Sequence, residues 1–398
     1  MNRIGMILAL ALGSMVACDS GKETGDTSGT DTSDTSDTAD TSDTDTGTDT
    51  GNDTGNETGD TGDTNPPIPD RGYFGPPTVA ALVSDGAGGA SVYLIDPGAG
   101  TATEITGVAA EADDVFACAG QYVWVLGDDA WGISARDGTL GQTLTLDDTF
   151  EPQAIAYMSP LLFVGGTGSA LLASFAADGT AGGTVDLSSL ADADGIPEVM
   201  ALTPSSSGLA AVLQRSSGST YDTSSVALID PIGLTVTGSG SLNGGNAGRA
   251  AGTSGPSVVV VLDEHGSTGT TVDMFDPATA TATAFLDLGS SVVATAVAGG
   301  DGTLWAATGT SGAVTVKQYT QDGTEIASFS AATTGNLIAP GMPSVWSGEG
   351  TGAVPYDPIS GTAGTVVDLG GAVLALHACS PPPMEPSDTG DTAGDPPQ

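Results

Sequence analysis

Short apolar runs of four to seven residues alternate with turns rich in Gly, Asp, Pro and Ser over residues 78–379. No stretch carries apolar residues at the three- and four-residue spacing of an amphipathic helix, so the pattern predicts an all-β domain. One turn recurs seven times, at Asp96-Pro97, Asp137-Gly138, Asp178-Gly179, Asp230-Pro231, Asp276-Pro277, Asp322-Gly323 and Asp357-Pro358. A strand-like run precedes each, such as Ser91-Val92-Tyr93-Leu94-Ile95 or Val226-Ala227-Leu228-Ile229, and another follows. Asp can accept a bond from its own backbone two residues on, while Pro fixes φ and Gly permits positive φ. Each of the seven is therefore expected to close a hairpin.

The turns recur about every 43 residues, the length of one four-stranded propeller blade. Two further strand candidates lie upstream of the hairpins, as at 115–118 with 122–126, 154–158 with 161–164, and 294–298 with 304–307. The first unit lacks its innermost strand, and residues 372–378 are left over at the other end to supply it. Seven units with one split blade account for the whole region. The pattern resembles the broad superfamily of seven-bladed β-propellers with weak repeats, of the WD-repeat-like and YVTN type. It contains neither a Trp-Asp dipeptide nor a Tyr-Val-Thr-Asn tetrapeptide, so the resemblance implies architecture over 78–379 and no activity. Two β-sandwiches are the competing arrangement.

Ahead of this domain, Arg3 and an apolar run over 4–17 lead to Met15-Val16-Ala17-Cys18. The run is too short to span a bilayer as a helix. It resembles a bacterial lipoprotein signal with its lipobox, Met15 standing where Leu is commonest. That resemblance implies acylation of Cys18, cleavage before it, and a mature chain held to a membrane by lipid. Several acyl chains hold firmly, since each buried methylene adds about 0.8 kcal/mol. A secretory signal with an incidental cysteine is the alternative. Four segments follow: signal peptide 1–17, an Asp/Thr/Gly-rich tether 18–77, the propeller 78–379, and a tail 380–398 in the style of the tether.

Charge narrows the choice of partners. The 398 residues include 7 Lys plus Arg and 49 Asp plus Glu, for a net charge of -42. Such a chain lacks the clustered cations that phosphate binding needs, which excludes nucleic acid. The tether has almost no apolar side chain to offset chain entropy and is expected to be a disordered, self-repelling spacer. Its acids recur mostly every third residue (Asp31, Asp34, Asp37, Asp40, Asp43), which is not the spacing of an EF-hand loop.

Two cysteines remain. Cys118 ends the innermost strand expected for the second blade, and Cys379 follows the closing strand, at equivalent places on adjacent blades. A disulfide between them is the expectation for an exported chain, two separate buried thiols the alternative. His265 lies in a turn and His377 in the closing strand. Neither sits in a zinc-binding pattern, and no nucleophile elbow, Walker loop or dinucleotide fingerprint occurs. No catalytic residue, metal ligand or cofactor is assigned. The reading is a monomeric, lipid-anchored envelope protein, favoured for the outer membrane by its long tether, carrying the propeller as a binding or structural module for a protein or glycan. The alternative is a calcium-dependent, lactonase-like propeller hydrolase using the central funnel, with His377 facing the channel instead of standing as a polar residue near the strand end.

Overall fold

The computed structural model describes residues 78–379 apart from 121, 128–129, 148, 177, 218–219, 255–256, 264–268, 290–292, 299–301, 334–337 and 341–342. Cys18, the tether, the tail and His265 lie outside the described residues.

In chain order, the first sheet contains β1 (Thr78–Ser84), β2 (Gly89–Asp96) and β3 (Thr101–Glu111). The second is β4 (Val115–Ala119), β5 (Tyr122–Leu126), β6 (Ala130–Ser134) and β7 (Leu140–Leu144). The third is β8 (Pro152–Met158), β9 (Leu161–Gly166), β10 (Leu171–Ala176) and β11 (Ala181–Asp186). Blade 4 begins with β12 (Glu198–Ser205) and β13 (Gly208–Gln214). A small hairpin is inserted there, β14 (Ser216–Ser217) with β15 (Thr220–Tyr221), before β16 (Thr223–Asp230) and β17 (Thr235–Gly245). Blade 5 is β18 (Ala247–Ser254), β19 (Ser257–Asp263), β20 (Thr270–Asp276) and β21 (Thr281–Gly289). Blade 6 is β22 (Val293–Ala298), β23 (Leu304–Thr310), β24 (Ala313–Tyr319) and β25 (Glu325–Ala331). Blade 7 is β26 (Ile338–Pro340), β27 (Val345–Glu349), β28 (Gly352–Tyr356) and β29 (Val367–Asp368), and β30 (Val373–Cys379) comes last.

β30 returns to the first sheet and pairs with β1, giving the order β3-β2-β1-β30. The pairing is antiparallel, running from Thr78 opposite Cys379 to Val83 opposite Val373. The fold is thus a seven-bladed all-β propeller closed by its C-terminal strand. That strand starts one residue later than the sequence pattern suggests, so Cys379 is its last residue instead of following it.

Burial explains why each blade reads as it does. The second strands sit between neighbouring blades and are covered on both faces, so β13 is buried at every position. Outer strands such as β17 alternate exposed and half-buried residues, the period of a sheet with one wet side. Innermost strands touch one another in succession all round the ring: β30, β4, β8, β12, β18, β22, β26 and back to β30.

Seven apolar clusters fill the seven seams. Leu82 and Val92 meet Phe116 and Val125 between blades 1 and 2. Phe163 and Leu172 meet Leu209 and Leu213 between blades 3 and 4. The seam between blades 7 and 1 is filled in the same way, by Trp346, Ala353 and Val79. Each large side chain fully buried there contributes about 1.5–3 kcal/mol. A ring whose first and last seams are packed like the rest leaves no room for two separate sandwiches.

All seven recurring Asp residues act alike. Each accepts the backbone N–H two residues on, that of Gly98, Thr139, Thr180, Ile232, Ala278, Thr324 or Ile359, at 2.8–3.2 Å. Each turn joins the third and fourth strands of its blade. Because strands alternate in direction, the seven turns share one face of the ring. The opposite face carries the links from each outer strand to the next innermost strand.

Candidate functional site

A cavity of about 300 Å³ lies on the axis of the ring. Its walls come from the innermost strands of five consecutive blades: Leu374, Ala375 and His377 on β30, Asp114, Val115 and Phe116 at β4, Gln153 on β8, Met200 on β12, and Gly248 on β18. These residues stand at or near the starts of their strands, so the cavity opens on the face opposite the Asp turns. His377, two residues before the end of β30, lies deepest.

The local structure holds several of these groups in place. Asp114 ends the link from blade 1 to blade 2, and its Oδ2 accepts the N–H of Glu111 at 2.8 Å. Its Oδ1 lies against the Gly127 backbone, where a Cβ would come within 2.1 Å. Only glycine leaves room there for the carboxylate. The ring of His377 packs on Phe116 with centroids 5.8 Å apart, tilted by 55°. Gln153 follows Glu151, whose φ of 47° is one that few non-glycine residues adopt. Thr167 N–H donates to the Glu151 carbonyl at 3.0 Å and its hydroxyl to Oε2 at 3.2 Å, tying this link to the β9–β10 turn.

Around the mouth the charge is mainly negative. Glu111 and Asp113 precede Asp114, Glu151 precedes β8, and Asp192 and Asp194 lie before β12. Burial holds the Asp192 carboxyl above the usual carboxylate range, helped by the Asp194 side chain and the charge of Glu198 and opposed by the Asp194 N–H that it accepts at 3.2 Å. Glu198 is itself buried and accepts the Ser216 hydroxyl at 2.5 Å, fastening the inserted hairpin to the first strand of blade 4. Arg215 lies on the same side and donates to the Ala191 carbonyl at 3.4 Å. Arg249 follows Gly248 on β18.

Cys118 and Cys379 are joined by a disulfide, with Cα atoms 5.5 Å apart. The bond crosses the seam from the closing strand of blade 1 to the innermost strand of blade 2, on the Asp-turn side of the cavity. His377 therefore stands both near the disulfide and on the cavity wall. Sequence alone does not flag Asp114, Gln153, Met200 or Gly248, which belong to no motif. Their shared mark is position, within three residues of the start of an innermost strand. Among the described residues, no three His, Cys, Asp or Glu side chains come together as a metal site.

No protein-family model and no curated protein sequence matches the chain. By structure it is similar to a functionally unknown protein from Desulfotomaculum acetoxidans, with TM-score 0.55 and 13% identity over 76% of this chain and 98% of that one. It is also similar to a candidate 6-phosphogluconolactonase of Bacteroides fragilis, with TM-score 0.52 and 13% identity over the same shares. At such identity the likeness concerns the fold alone.

Proposed function

We propose that this chain is an envelope lipoprotein, held by lipid on Cys18, that displays its propeller as a ligand-binding module with the axial cavity as the site. One observation carries the reading. Thr78 and Cys379, where the tether joins the ring and the tail leaves it, are paired on the Asp-turn side. The cavity opens on the other. Chain ends that leave the ring on the face opposite the open pocket suit a receptor offered to a ligand arriving from outside. The lipobox-like Met15-Val16-Ala17-Cys18 and the acidic spacer support the anchoring, and a cavity at the small end of the usual range for small-molecule sites supports binding.

The test has two parts. Cells expressing the full chain are fed an alkyne-bearing palmitate analogue. Label on the wild type and none on Cys18→Ser is the expected result, and equal labelling, or none on either, overturns the lipid anchor. The purified chain is then screened against small-molecule and glycan ligands beside Met200→Trp, which fills the cavity. Ligands are expected to bind the wild type and not the filled variant. Binding that survives the filling moves the site elsewhere. Hydrolysis of a lactone that needs calcium and is lost in His377→Ala would replace binding by catalysis.

A further inference from the structure

The axial cavity is lined where its strands break register. Among the described residues, four innermost strands each carry one unpaired residue within their first three positions. On β30, Val373 and Ala375 face Val83 and Leu82, which leaves Leu374 opposite nothing. On β8, Pro152 and Ala154 face Gly166 and Gly165, which leaves Gln153. On β12, Val199 and Ala201 face Leu213 and Val212, which leaves Met200. On β18, Ala247 and Arg249 face Leu262 and Val261, which leaves Gly248. All four line the cavity. β4 lines it in unbroken register, and β22 and β26, also unbroken, add none of the described wall residues. A bulge breaks the alternation of a strand and turns out a residue that would otherwise pack in a seam. Burial agrees. Gln153 and Gly248 are exposed, and Met200 and Leu374 half-buried, beside the buried Ala154, Ala247, Val199 and Val373.

A bulge also interrupts the ladder, so backbone N–H and C=O groups there are left to water or a ligand. Gln153 adds a carboxamide that makes no hydrogen bond within the described residues. The titratable side chains of the wall, Asp114 and His377, are already engaged within the protein. What the bulges offer is neutral, both donates and accepts, and arrives from four blades around one axis. Leu374 and Met200 add apolar surface between these groups. A matching ligand carries hydroxyls directed outward round a compact ring, with C–H surface between them. We propose that the four bulge residues are the recognition set of the cavity, and that they take a neutral sugar of monosaccharide size. This rests on the reading of the cavity as the binding site and adds its contact residues and the class of ligand.

The test uses the full chain and calorimetric titration with glucose, galactose, mannose and N-acetylglucosamine. Glucuronate, glucosamine and cyclohexylmethanol serve as anionic, cationic and apolar counterparts. At least one neutral sugar is expected to bind, and to lose tenfold or more in Gln153→Leu, which keeps the bulk and removes the carboxamide. A Cβ at Gly248 would meet nothing nearer than 3.9 Å, so Gly248→Leu is expected to fold, to fill the cavity and to abolish binding. Unchanged melting temperatures confirm that both variants fold. Preference for a counterpart, lost in Met200→Trp, overturns the sugar class and leaves the cavity standing. Sugar binding unchanged in both variants overturns the recognition set and moves the site elsewhere. No sugar bound up to millimolar concentration overturns the proposal. Thiol labelling reads the bulge geometry separately. Met200→Cys is expected to react with a small methanethiosulfonate and Val199→Cys to stay protected. Equal reaction overturns the placing of the bulge residues on the wall, whether or not a sugar binds.

Discussion

Cys118 is bonded to Cys379 across 261 residues of sequence, and the two cysteines belong to different blades. β30 is thereby held on two sides, by its ladder to β1 and by a covalent link to β4. In the chain-entropy model, a loop of this length places the bond at the upper end of disulfide stabilisation, about 5 kcal/mol. Thermal unfolding with and without reductant tests it. Reduction and the double variant Cys118→Ser/Cys379→Ser are each expected to lower the melting temperature by several degrees, to the same value. A melting curve indifferent to reductant would count against the bond.

Acid should loosen the Asp-turn face first. Side-chain hydrogen bonds, from Ser134 and then Thr139 at Asp137, from Thr279 at Asp276 and from Thr320 and Thr324 at Asp322, hold these carboxyls below the usual carboxylate range, and backbone bonds from Thr180 and Ser360 do so at Asp178 and Asp357. A carboxyl depressed in the folded state contributes stability above its unfolded value and loses it as pH falls through the folded one. The urea midpoint is therefore expected to hold steady from pH 7 down to about pH 4 and to fall below it. Replacing the five by Asn keeps the turn acceptor and removes the titration, so the acid limb should flatten. An equally steep limb in that variant would place the titration elsewhere.

Phe163 and Ile359 separate packing from surface. Phe163 is fully buried in the seam between blades 3 and 4, whereas Ile359, at the tip of the last Asp turn, is 90% exposed. Truncating Phe163 to Ala should cost about 3–5 kcal/mol, and Ile359→Ser should stay within about 0.5 kcal/mol. Chemical denaturation reads both. A large loss at Ile359 would mean that the exposed tip is covered by something in solution.

Gly127 tests how the cavity charge is placed. A Cβ there would lie 2.1 Å from Asp114 Oδ1, so the carboxylate must move in Gly127→Ala. The expected outcome is a lowered melting temperature, because the shifted carboxylate loses its bond from the Glu111 N–H. An unchanged melting temperature would show that the link between blades 1 and 2 yields without cost.

The ring was legible in the sequence because its repeating signal is local. Asp accepts a bond from the N–H two residues on wherever it stands, so seven copies of one turn mark seven copies of one hairpin. The split first blade followed from the unit that began at its second strand. The site was not legible, for the opposite reason. Asp114, Gln153, Met200, Gly248 and His377 come from five blades and become neighbours only when the ring closes. The β14–β15 hairpin also left no trace, because its Ser, Gly and Thr residues read like any other turn. His377 was visible as a polar residue near a strand end, but its place on the axis depends on which edge of blade 1 its strand joins.

Closure by β30 also fixes an order of events. Blade 1 is the first to be synthesised and the last to be finished, since its inner strand is made after every other strand in the ring. Until then β1 waits with an open hydrogen-bonding edge, the kind of edge that recruits strands from other chains. A chain cut short before Val373 therefore loses far more than a terminus. It keeps three strands of its first blade, one wall of its cavity is missing, and the edge left exposed invites self-association.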